Sequence, residues 1–165
     1  MINFIVGENS NGKTLYLQRK IESLGTSNCV TNIEDMINPR RIEISWKKID
    51  ILRFWTSLEI EYNGEDIVIP NMPVDREFTK FIRDICSDVP NIVYDEPERK
   101  IGMAWHAHVY DVMNRLSEEF KEFWVTSHSQ YCTALMNARY FTCKDKYNLI
   151  EISEEEADEI VNTIW

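Results

Sequence analysis

Gly7-Glu-Asn-Ser-Asn-Gly-Lys-Thr14 is the stretch on which the reading of this chain turns. It fits the phosphate-loop pattern G-x-x-x-x-G-K-S/T at every fixed position. The pattern has a physical meaning only between a strand and a helix. There the backbone N–H groups of the loop converge on a phosphate at the positive end of the helix dipole. Both flanks suit. Ile2–Val6 is apolar almost continuously, like a strand buried on both faces of a parallel sheet. Leu15, Leu17, Ile21 and Leu24 follow as a helix that Gly25 closes. Gly7 and Gly12 take up backbone angles that other residues resist. Gly7, Glu8, Asn9, Ser10, Asn11, Gly12, Lys13 and Thr14 are thus the expected phosphate cradle. Lys13 is expected to reach the terminal phosphates, and the Thr14 hydroxyl to ligate magnesium.

Two later segments extend this site. Ile92-Val-Tyr-Asp-Glu-Pro97 sets two carboxylates at the end of an apolar strand. Such a strand delivers Asp95 to a magnesium ion beside the phosphates, the Walker B arrangement, since magnesium prefers carboxylate and water oxygens. Glu96, next in sequence, is the candidate that orients or deprotonates the attacking water. Phe123-Trp-Val-Thr-Ser-His-Ser129 is a second apolar strand followed by polar residues. In a parallel sheet, ligands gather at that edge. His128 is therefore the candidate contact to the terminal phosphate or the attacking water.

The remaining elements follow from periodicity. Ile42, Ile44 and Trp46 alternate with polar residues, as do Leu58, Ile60 and Tyr62, and then Ile67 and Ile69. Asn63-Gly64 between the last two runs predicts a hairpin. Residues 48–55 suit strand or helix equally. Phe78, Phe81, Ile82, Ile85, Cys86 and Val89 have the spacing of an amphipathic helix. Trp105, Val109, Met113, Leu116 and Phe120 mark another. Tyr140–Cys143 and Asn148–Ile152 are expected to pair, and Ser153 with Glu156 forms a capping box for a last helix. These elements suit one α/β domain over residues 1–165 with antiparallel hairpins.

Composition narrows the partners. The formal net charge is −10 over 165 residues, a poor match for non-specific nucleic-acid binding, which rests on Lys and Arg at phosphates. Nucleic acid is thus expected only indirectly. No apolar run approaches the length of a membrane span, and Met1–Val6 lacks the features of a signal peptide. The four cysteines show no C-x-x-C spacing, so free thiols in a reducing, cytoplasmic setting are expected.

The order phosphate loop, strand-Asp-Glu-Pro, strand-Thr-Ser-His-Ser resembles the ABC-type P-loop ATPases. The nearer likeness is to their soluble, non-transporter branch, which includes the SMC-like and OLD-like ATPases. Asp95-Glu-Pro-Glu98 resembles that branch's Walker B, and Thr126-Ser-His-Ser129 its histidine switch. The resemblance implies an α/β fold, a three-layer P-loop NTPase core whose mostly parallel sheet carries added antiparallel hairpins. It also implies binding of ATP with Mg2+, hydrolysis with Glu96 as base and His128 as sensor, and a head-to-tail homodimer or a protein partner closing each nucleotide. The chain also departs from the family. Asn71-Met-Pro-Val-Asp75 occupies the place of the Ser-Gly-Gly signature, no glutamine is placed for the glutamine loop, and no strands precede the phosphate-loop strand. Two other readings stand beside the ATPase: a nucleotide-binding regulatory module that does not hydrolyse, and a small P-loop kinase.

Overall fold

The computed structural model describes residues 1–7, 12–33, 40–50, 55–62, 65–73, 89–97, 106–127, 137–145 and 148–164. Six strands make a mostly parallel sheet in the order β2-β6-β7-β1-β8-β9. They are β1 (Ile2–Val6), β2 (Cys29–Thr31), β6 (Asn91–Tyr94), β7 (Glu122–Ser127), β8 (Ala138–Cys143) and β9 (Leu149–Ile152). Only β8 and β9 run antiparallel among these six. Three more strands, β3 (Arg40–Asp50), β4 (Trp55–Tyr62) and β5 (Glu65–Pro73), continue the sheet beyond β2 as an antiparallel meander.

The central strands are apolar because they have no solvent face. Every residue of β1, β2 and β6 is buried, and so is all of β7 after Glu122. Parallel pairing flanks β1 on both sides, with β7 and with β8. Helix α1 (Lys13–Leu24) lies across β6 and β7. Its stripe of Tyr16, Leu17 and Ile21 packs with Ile5, Cys29, Ile33, Val93 and Trp124. Leu17 and Ile21 are fully buried, which contributes roughly 1.5–3 kcal/mol each. Helix α2 (His106–Ser117) serves the other face, where Phe4 meets Tyr110 edge-on at 5.5 Å and stacks on Tyr140 at 5.8 Å. Helix α3 (Glu154–Ile164) packs on β8 and β1. The capping box forms as its sequence predicts. Glu156 N–H donates to Ser153 Oγ at 3.1 Å, and Ser153 N–H donates to Glu156 Oε1 at 3.2 Å.

The meander has an unusual placement. β3 pairs with β2 only at Val30↔Arg40 and Thr31↔Arg41. Ile42–Asp50 then runs on beyond the carboxyl end of β2, roughly 25–30 Å at the usual rise of a strand. The ambiguous segment 48–55 is strand over Lys48–Asp50 and at Trp55. Tyr62↔Glu65 closes the hairpin that Asn63-Gly64 predicts. Asn71, Met72 and Pro73 end β5, with Met72 opposite Thr56 and Pro73 opposite Trp55; Val74 and Asp75 lie outside the described residues. The helix expected over Phe78–Val89 falls on residues 74–88, outside the described residues, up to the buried Val89. Among the described residues, no helix is long and apolar enough to cross a membrane.

Candidate functional site

Parallel pairing brings the ends of β1, β2, β6 and β7 to one edge of the sheet. β1 leads into the phosphate-loop segment and β6 into Asp95-Glu96. β7 lies between them in the sheet, with Val6 opposite Ser127 and Tyr94 opposite Val125. The described ends of these strands therefore share an edge, with the end of β7 between Val6 and Tyr94 in the sheet.

The described loop residues have the backbone that the motif requires. Gly7 and Gly12 have positive φ, 143° and 82°. Among the described residues nothing lies within 4 Å of a Cβ built on Gly12, whose φ itself favours glycine. Gly12 is the N-cap of α1, and among the described residues no side chain caps that end or sets an acid in the first turn. The first N–H groups of α1 and the positive end of its dipole thus lie at Gly12, on the edge that Gly7 shares. Lys13 is the first residue of the helix. It is 3% exposed, and its Nζ donates to the Gly7 carbonyl, drawing the two ends of the loop together. Lys13 also lies close enough to Cys143, at the end of β8, to offset part of the upward push that burial gives that thiol.

Thr14 and Asp95 meet. The Thr14 hydroxyl donates to Asp95 Oδ2 at 3.2 Å. Asp95 is nearly buried and well held. Thr126, which directly follows Val125, donates from Oγ1 to Asp95 Oδ1 at 2.5 Å. Asn32, just past β2, clasps the Asp95 backbone. Its Nδ2 donates to Asp95 O at 2.8 Å, and its Oδ1 accepts from Asp95 N–H at 2.7 Å. The Asn32 amide thus continues the β2–β6 ladder one step past the end of β2. Glu96 turns sharply away, with φ at 47°, a region that non-glycine residues rarely occupy. Its N–H donates to Thr126 Oγ1 at 2.9 Å. Behind the site, Ser127 Oγ and the Tyr110 hydroxyl are 2.5 Å apart, which ties α2 to the end of β7.

The structure thus places Gly7, Gly12, Lys13, Thr14, Asp95 and Glu96 at one edge. Glu8, Asn9, Ser10, Asn11 and His128 lie outside the described residues, His128 immediately after Ser127. Asn32 and Tyr110 are the contributors that motif reading does not single out, and Thr126, which opens the Thr-Ser-His-Ser motif, is given no role of its own by it. A polar residue directly after an apolar strand was the available signal for Asn32. As a donor set, one hydroxyl and one carboxylate on a common edge suit magnesium, which takes one or two carboxylates and fills its other positions with water and phosphate oxygens. No protein-family model matches the chain, and a search of the curated proteins finds no match.

Proposed function

We propose that the chain is an ATP-binding module of the ABC-ATPase type, built on a P-loop core, which hydrolyses ATP with Mg2+ and is coupled to a protein partner or a second copy of itself. The observation that carries this reading is the Thr14–Asp95 hydrogen bond. It joins, across 81 residues, two motifs whose shared task would be to hold one magnesium ion. Chance phosphate-loop and Asp-Glu matches have no reason to meet at one sheet edge.

The residues divide the work as follows. The first N–H groups of α1 and the Lys13 ammonium bind phosphate oxygens. Thr14 and Asp95 hold the magnesium ion, which when bound offsets charge on the terminal phosphates. Glu96 accepts a proton from the attacking water or orients it. His128, the residue after β7 in sequence, is assigned to the terminal phosphate. The placement of β7 between β1 and β6 supports this reading over a small kinase, because it brings Thr126 and Ser127 to the edge that Gly7 and Asp95 share. The segment Asn71–Asp75, without the Ser-Gly-Gly signature, supports dependence on a partner for the closing contact.

Phosphate release measured against protein concentration tests the proposal. Turnover should need Mg2+, vanish in Glu96→Gln, and rise more steeply than linearly or on addition of the partner. Binding of ATP without any multiple turnover, with or without a partner, would replace the ATPase by a non-hydrolysing regulatory module.

A further inference from the structure

We infer that Thr126 is a positioning residue that links the metal-binding carboxylate to the catalytic glutamate through one hydroxyl; the inference rests on the nucleotide-binding reading above. Thr126 is fully buried in β7, and its Oγ1 is engaged twice. It donates to Asp95 Oδ1 at 2.5 Å and accepts from the Glu96 backbone N–H at 2.9 Å. These two partners are the residues assigned to the metal and to the water.

Register explains why β7 can do this. Tyr94 stands opposite Val125, so the next step along both strands sets Asp95 beside Thr126. The bond to Oδ1 leaves Oδ2 directed to Thr14, so the carboxylate is fixed by both its oxygens. The bond to Glu96 acts on the backbone at a residue whose φ of 47° is unfavourable for any side chain with a Cβ. A conformation of that kind persists only where its surroundings hold it. Packing alone does not call for threonine here, because valine has the same branched shape and suits a buried strand equally well. The hydroxyl is the part that both contacts use.

Thr126→Val removes the hydroxyl at constant shape, and Thr126→Ser restores it without the methyl group. Hydrogen exchange at the Glu96 amide reads the link directly and needs no nucleotide. Mg2+ titration of ATP turnover and the separation of kcat from KM read its consequence. In Thr126→Val, exchange at Glu96 should quicken and kcat should fall by about 10- to 100-fold, the span open to a lost hydrogen bond to a charged group. The Mg2+ midpoint should rise, while KM for ATP stays near its original value because the loop and Lys13 are untouched. Thr126→Ser should recover all of these. Unaltered Glu96 exchange and kcat in the valine variant would overturn the inference, as would a serine variant as impaired as the valine one. A wild type that binds no ATP would overturn the nucleotide reading and this role with it. A wild type that turns ATP over beside an unaltered Thr126→Val would overturn the role of Thr126 alone.

Discussion

Replacing Asn32 by alanine removes the clasp that joins the end of β2 to Asp95. Two hydrogen bonds disappear, at 2.8 and 2.7 Å, and both lie where side chain and backbone are nearly buried. A typical hydrogen bond contributes a net 0.5–1.5 kcal/mol or so, but a buried group left unsatisfied costs about 1–3 kcal/mol. With two backbone groups affected and some water reaching the edge, the expected loss is about 2–4 kcal/mol. That is a large part of a stability of roughly 5–15 kcal/mol. Asn32→Asp sharpens the test. It keeps the acceptor for Asp95 N–H but turns the donor into an oxygen facing the Asp95 carbonyl, and it adds a negative charge. Its deficit at neutral pH should match or exceed that of alanine. It should shrink as pH falls to about 4, where the new carboxyl takes up the proton it then needs to donate. Urea unfolding followed by the fluorescence of Trp124, which packs in the core beside α1, gives both values. An alanine variant within about 0.5 kcal/mol of the wild type, the range of ordinary surface substitutions, would refute the reasoning.

Two further outcomes follow from single residues. Glu96→Gly should relieve the positive φ of 47° and stabilise the fold by up to about 1 kcal/mol, while abolishing turnover; a variant that unfolds more easily than the wild type would count against stored strain at this turn. Burial, reinforced by the charge of Glu122, pushes the Cys29 thiol up to about 11. A pKa raised on folding means that the folded state holds its proton longer, so this contribution to stability is complete below pH 9 and is lost as pH rises toward 11. Alkylation mapped by mass spectrometry at pH 8 should spare Cys29 until urea is added; modification at the same rate in native protein would contradict its burial.

The sequence was most legible where burial on both faces leaves no choice of residue. Ile2–Val6, Asn91–Tyr94 and Phe123–Ser127 read as strands because each is almost continuously apolar, and Ser153 with Glu156 announced α3 through two local bonds. The order of the strands was not legible, because apolar runs do not encode which neighbour they meet. That loss hid the parts of the site that depend on adjacency. Thr126 was noted as part of a polar cluster, yet its bond to Asp95 exists only because β7 lies beside β6. Asn32 belongs to no motif, and its bond to Asp95 exists only because β2 lies next to β6. The meander was visible as alternating strands, but its extension past the end of β2 follows from a two-residue pairing that no periodicity signals.

The central claim is that Thr14 and Asp95 serve one metal ion on one nucleotide. ATP affinity measured by calorimetry with and without Mg2+, in the wild type, Thr14→Ala, Asp95→Asn and the double variant, tests it most directly. The account predicts that Mg2+ strengthens ATP binding in the wild type, that either substitution removes most of this gain, and that the second adds little to the first, as for residues acting as a unit. Mg2+-strengthened binding that survives both substitutions, or no ATP binding by the wild type, would contradict it.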